Sequence, residues 1–208
     1  MEGQDIFDSS LNPREYVIST RDRCDFTIDR IRSVRSKDYK YIRNFKTDRP
    51  YSQLTYMDVD GVEFVEVMHQ LHMENKLDSI QDRFLSDKRP EEELYYLKED
   101  PFEINNLAEN PDYTNILSKQ SNILDNWVLK TDDKGQYPES DEGLKLMLGI
   151  WGNNAINPEY DYLRKKYPDW KDLFYLERPG GSHGNRNYII DQINFLARHF
   201  DIKELDSL

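Results

Sequence analysis

Two runs of alternating apolar and polar residues, Ile31 to Arg35 (IRSVR) and Tyr39 to Phe45 (YKYIRNF), flank the polar triplet Ser36-Lys37-Asp38. A period of two suits a strand that buries one face. Two such runs across a short polar turn predict a β-hairpin. In the second run Tyr39, Tyr41 and Arg43 fall opposite Lys40, Ile42 and Asn44. A lone hairpin is marginal in water, so the rest of the chain has to cover it.

The covering elements are readable downstream. Glu92 to Pro111 (EELYYLKEDPFEINNLAENP) reads as a strand over Leu94 to Leu97, a turn at Asp100-Pro101, and the capped start of a helix. Asn110 is the cap and Pro111 the first helical position. Tyr113, Ile116, Leu117, Ile123, Leu124, Trp127 and Val128 then form one apolar stripe, which predicts a helix to about Leu129.

Upstream, Glu15 to Thr20 is a further strand candidate, and the densely charged Arg21 to Arg30 reads as a loop between strands. Met1 to Arg14 is a polar lead-in. Phe64, Val67, Met68 and Leu71 fall on one face of a helix predicted over Gly61 to Lys76, and a short helix is expected over Ser79 to Leu85.

Beyond Leu129 the polar linker Lys130 to Gln136 leads to a helix over Glu139 to Trp151, with Leu144, Met147, Leu148 and Trp151 on its stripe. A helix within Asn157 to Trp170 follows, then the flexible turn Arg178 to Gly184 and an amphipathic helix over Tyr188 to Phe200. The order of elements predicts an α+β fold. A small antiparallel β-sheet of about four strands packs against helices, with a helical C-terminal extension. The expected division is residues 1–129 and 130–208.

Net charge is −12, which disfavours nucleic acid and anionic membrane as partners. It would also repel a polysulfated ligand unless local basic clusters oppose the average. Twelve per cent aromatic residues argue against disorder. No apolar run approaches the ~20 residues of a membrane span. MEGQDIFDSS lacks a basic region followed by an apolar core, so no export signal is visible there. Cys24 is the only cysteine, so no disulfide can form within the chain.

Three segments resemble type I sulfatases. Arg21 to Phe45 is similar to the strand pair opening the C-terminal subdomain in the heparan N-sulfatase-like branch. Glu93 to Leu107 (ELYYLKEDPFEINNL) is similar to the family's ELYDL-x-x-DP-x-E-x-x-NL segment, with Tyr96 where the family usually has Asp. Gln136 to Ser140 (QYPES) and Asn157 to Asp161 (NPEYD) resemble an extension of some bacterial members. The family hydrolyses sulfate esters or sulfamates with a calcium ion and a formylglycine made from a C/S-x-P-x-R motif; it is commonly exported.

That machinery is missing from this sequence. Cys24 is followed by Asp-Phe-Thr, and after Ser10 the proline comes one place late. Asp132-Asp133 stands in the linker without a second Asp/Asn pair. The resemblance therefore implies the scaffold part of a sulfatase beside the substrate mouth, inactive alone. No catalytic residue, metal or cofactor is assigned to the chain, and the implied partners are a catalytic sulfatase half or neighbouring protomer and a sulfated glycan. The missing partner also predicts an exposed apolar face on the small sheet.

The candidate substrate-binding residues are Arg21, Arg23 and Asp25. Two guanidinium forks could take a sulfate or carboxylate while the acid holds sugar hydroxyls. The alternative is a surface loop whose charges pair with one another or with the missing part. A freestanding module for anionic glycans or for a protein is the competing function. Arg30, Arg32, Arg35, Lys40 and Arg43 add charge to the strand pair, where alternation favours a solvated role.

His69 and His72 stand three apart on a predicted helix, a chelating spacing, but beyond Glu66 and Glu74 no further ligand is evident. His183 belongs to the turn PGGSHG, which matches no phosphate-binding fingerprint. Trp127, Trp151 and Trp170 could stack on sugars, although the first two sit among Leu and Ile as core residues do.

Overall fold

The computed structural model describes residues 14–53 and 63–170, together with residues 5, 7 and 12. Four strands, β1 (Tyr16–Cys24), β2 (Thr27–Ser36), β3 (Tyr39–Asn44) and β4 (Glu92–Tyr96), form one antiparallel sheet in the order β1-β2-β3-β4. The described helices are α1 (Glu63–Met73), α2 (Ser79–Arg83), α3 (Thr114–Thr131), α4 (Asp141–Trp151) and α5 (Pro158–Lys166). The α+β architecture is the one expected. The turn at 178–184 and the helix over 188–200 lie outside the described residues, as does most of the lead-in.

One local expectation is corrected. The charged run Arg21 to Arg30 is not a loop: β1 continues to Cys24 and β2 starts at Thr27. Asp25 makes the turn at φ 49, a left-handed conformation that Asp tolerates better than most residues. Phe26, Thr27 and Ile28 are buried, so the strand is set by what it packs on rather than by its charge.

The described chain forms two compact units. The first holds residues up to Arg21, 30–47 and 90–133; the second holds 22–29, 48–53, 63–89 and 134–170.

In the first unit the hairpin has the expected register, with Val34 opposite Tyr41 and Arg35 opposite Lys40. β3 also pairs antiparallel with β4, placing Tyr41 opposite Leu94. Val34, Tyr41 and Leu94 bury with Leu124, and Ile116, Leu117, Trp127 and Val128 of α3 pack around them. Asn110 caps the turn that leads into α3 rather than, as expected, α3 itself: its side chain accepts from the Asp112 N–H at 3.0 Å, while Tyr113 at the start of α3 makes no side-chain cap bond. Pro111–Tyr113 forms a single 3₁₀ turn before α3, which ends with Asp132 at φ 48.

The opposite face of the sheet is mixed rather than the exposed apolar surface expected: Ile31 and Ile42 are half-buried on it and Tyr95 is buried. Alternation puts Ser33, Arg35, Lys40, Asn44 and Glu93 on that face. Asn44 Nδ2 donates to Glu93 Oε1 at 2.6 Å, and the Tyr95 hydroxyl donates to the other oxygen of that carboxylate. A buried carboxylate needs such donors, and these supply them.

The segment after β4 is fastened by its own polar residues. Asp100 accepts from the N–H groups of Ile104 (3.0 Å) and Asn105 (2.8 Å). Glu103, at φ 57, pairs with Lys40 at 2.6 Å. Asn106 Oδ1 accepts from the Leu94 N–H at 2.9 Å while its amide donates to the Glu92 carbonyl at 3.0 Å. The Leu107 N–H then donates to the Leu94 carbonyl at 2.8 Å. Asp, Glu, Asn and Leu at these spacings therefore serve to hold the segment along the edge of β4.

In the second unit, Phe26 and Ile28 join a core with Leu144, Leu148, Tyr160, Leu163 and Trp170. The stripe of α4 is the one expected, with Met147 and Trp151 partly buried against that core. Ser140 caps α4 by accepting from the Gly143 N–H at 3.1 Å. Asn157 binds elsewhere: its Oδ1 accepts from the Ile28 N–H at 2.9 Å. The Tyr160 hydroxyl donates to the Phe26 carbonyl at 2.7 Å. Trp127 is partly buried against the core of the first unit, and Trp170 is buried in the core of the second.

Helix α1 departs from expectation. Of its predicted apolar face, Met68 and Leu71 are half-buried, while Phe64 and Val67 stay 65% and 51% exposed.

Candidate functional site

The expected substrate-binding residues fall in both units. Arg21 belongs to the first. Its carbonyl accepts from Arg32 Nη1 at 3.1 Å, and its own Nε is a buried donor that meets no acceptor among the described residues. Around it the strand-pair arginines are largely committed to the fold. Arg32 is fully buried, against the solvated role expected, and forks onto Asp133 through Nε at 3.0 Å and Nη2 at 2.7 Å. Asp133 also lies 3.5 Å from Arg30, whose guanidinium stacks 3.7 Å from the Phe45 ring centre. A buried guanidinium is costly without such a carboxylate. Asp133 is therefore a structural counter-ion within a stretch whose composition suggested only a linker.

Arg43 is likewise engaged. Its Nε donates to the Tyr41 hydroxyl at 2.8 Å, and its two terminal nitrogens reach Asp125 (2.5 Å) and Ser121 (2.6 Å). Burial alone would lower the pKa of Arg43, but the bonds to Asp125 and Tyr41 outweigh it and the net shift is upward. Tyr41 is pushed up to about 12, first by burial and then by its hydrogen bond to Glu92. Arg35 stays exposed, as expected.

Arg23 and Asp25 belong to the second unit. Arg23 makes a two-pronged bond with Glu139, Nε to Oε1 at 2.9 Å and Nη2 to Oε2 at 2.6 Å. The two side chains stay 22% and 31% exposed, so water reaches the pair. The planar fork is the group that would recognise a sulfate, and a carboxylate of the same chain now fills it. Asp25 holds the turn, its carboxylate 4.0 Å from the Cys24 sulfur. Glu139 was missed as a functional neighbour of Arg23, although it lies in the QYPES segment.

Other cations of the second unit are structural. Arg89 pairs with Asp29 in full burial, and Gln53 Nε2 donates to the same carboxylate at 2.8 Å. Arg49 donates to the Ile28 carbonyl at 2.5 Å and reaches Glu159 at 3.2 Å. His72 Nδ1 lies 2.7 Å from Asp82 Oδ1, while His69 is exposed. Among the described residues no group of three or more His, Cys, Asp or Glu side chains could hold a metal ion.

The chain is similar to two ulvan-active sulfatases of Formosa agariphila. One is 36% identical over 162 residues, covering 76% of this chain and 26% of the relative. The other is 31% identical over 138 residues, covering 66% of this chain and 24% of the relative. This chain thus spans about a quarter of the length of the curated relatives it matches. A solved 2-O GAG sulfatase is 21% identical over 62% of this chain and 19% of its own, with a TM-score of 0.37, too low to argue from. No protein-family model matches the chain. Sulfatases are homologues of this chain over part of its length.

Proposed function

We propose that this chain is the C-terminal, noncatalytic part of a sulfatase acting on a sulfated glycan. The observation that carries this reading is the 36% identity to one quarter of an ulvan-active sulfatase, in a sequence without the C/S-x-P-x-R motif. The scaffold role of Asp100 and Asn106, which bind backbone, and of Glu103, which pairs with Lys40, supports it, because these motif residues fasten the segment and leave the chemistry to another region. In this reading residues 1–129 form the sulfatase-like subdomain and 130–208 an extension. The catalytic half or a neighbouring protomer supplies formylglycine and calcium. Arg21, Arg23 and Asp25 border the substrate mouth. The similarity of Arg21 to Phe45 favours the heparan N-sulfatase-like branch, whereas the names of the relatives favour ulvan as the class of substrate.

The test is a chimera in which this chain replaces the matching quarter of the Formosa ulvan-active sulfatase. The chimera is expected to release sulfate from ulvan, and the isolated chain is expected to release none. Sulfate release by the isolated chain would overturn the noncatalytic role. An inactive but folded chimera, together with salt-sensitive retention of the isolated chain on heparin, would favour the freestanding glycan-binding module.

A further inference from the structure

Arg21 differs from Arg23, Arg32 and Arg43. Those three commit their guanidinium groups to carboxylates of this chain: Glu139, Asp133 and Asp125 respectively. The half-buried Arg21 side chain donates to no described residue, and its Nε is a buried donor that meets no acceptor among them. Asp133 does not serve it: that carboxylate takes two bonds from Arg32, lies 3.5 Å from Arg30 and forms no ion pair with Arg21. The backbone of Arg21 is nevertheless fixed. Fully buried Arg32 donates through Nη1 to the carbonyls of Arg21 at 3.1 Å and Ile31 at 2.8 Å. A strand held at its backbone thus carries a guanidinium that no described side chain holds. A charged donor closed off from water is destabilising until an acceptor reaches it.

Resting on the sulfatase reading above, we propose that Arg21 is the residue of this chain that grips an oxyanion of the glycan, a sulfate or a carboxylate, while Arg23 is a strut closed by Glu139. The planar fork of a guanidinium matches two oxygens of either group, and the terminal nitrogens of Arg21 are committed to no described residue. Because no bond holds the side chain, it can turn to bring Nε onto the same anion, which gives that donor its acceptor. The net charge of −12 repels a polyanion at a distance, so binding has to rest on a close, charge-assisted contact of this kind.

The experiment follows the isolated chain by affinity electrophoresis in gels that contain ulvan, at rising salt. Arg21→Ala should weaken retention about tenfold, and Arg21→Lys, which keeps the charge without the fork, about threefold. Arg23→Ala should leave retention within about twofold, as a solvated pair with Glu139 implies. The melting temperature of Arg21→Ala should hold or rise, since the guanidinium makes no bond to the described fold. A marked fall would make Arg21 structural and overturn the proposal. So would retention that ignores Arg21, or no retention of the unaltered chain at low salt. Desulfated ulvan identifies the oxyanion: an Arg21 effect that disappears assigns a sulfate, and one that persists assigns a carboxylate. The unsubstituted chimera judges the sulfatase reading separately. An active chimera with Arg21-independent retention removes the grip alone, whereas a folded, inactive chimera with Arg21-dependent retention removes the sulfatase reading alone.

Discussion

The two units differ in how far their stabilising contacts reach along the chain. In the first, the core is built by neighbours in a regular ladder: β2 on β3, β3 on β4, and α3 across them. The first does contain a polar contact across more than a hundred positions, Arg32 with Asp133, but the second relies on several, such as Arg23 with Glu139, Arg49 with Glu159 and Asn157 with Ile28. Local periodicity can specify a ladder. It cannot specify which acid answers a given arginine, because an ion pair has no sequence period.

The sharpest way to break that contrast is Arg89→Ala. It would leave Asp29 as a buried carboxylate without its cation, a change of about 3–5 kcal/mol on denaturant unfolding. Hydrogen exchange should show the loss in Phe26 to Asp29 and α4, with β3 and β4 retaining protection. Equal loss in both units would mean that they unfold together and that the contrast has no thermodynamic counterpart. Leu94→Ala is the matching test in the first unit, at about 2–4 kcal/mol for a fully buried side chain.

Asn106→Ala comes next, at about 1–3 kcal/mol, since the Leu94 N–H loses its acceptor. A double variant with Asp100→Ala that cost no more than either single change would show that the two residues act as one clamp.

A smaller loss should appear only in alkali. Burial raises Tyr41 and Tyr160 from 10 to about 12, so the unfolded chain ionises first. Stability present below pH 10 is therefore lost as pH climbs towards about 12. Tyr160→Phe should flatten that decline, although it also forfeits the bond to Phe26; an unchanged slope would remove Tyr160 from the account. Arg23→Ala is the mildest change, below about 1 kcal/mol for a half-solvated pair. Its value is in binding: weaker salt-sensitive retention on a sulfated glycan would keep Arg23 in the substrate mouth, and unchanged retention would leave it a strut for Glu139.

The hairpin, β4, the Asn110-Pro111 helix start and the α4 stripe were legible because each is a local pattern with a local cause. The tip of the first hairpin was not. A run as charged as Arg21 to Arg30 looks like loop until Arg23 meets Glu139 and Asp29 meets Arg89, which neutralise it and let Phe26 and Ile28 sink into a core. Arg32 was misjudged for the same reason, since its counter-ion Asp133 lies outside any periodic element. The stripe of α1 was read correctly as apolar, yet helical spacing gives no sign of how much of a stripe its own chain will cover.

The fastening of residues 98–110 has a practical side. With little regular secondary structure it looks like a point of attack for a protease, or a convenient place to splice in a tag. Its backbone, however, is pinned at Asp100, Asn106 and Leu107, and opening it means lifting the edge of β4. Cleavage there should track opening of the sheet edge rather than fluctuation of a loop. Anyone cutting or grafting this protein would do better elsewhere.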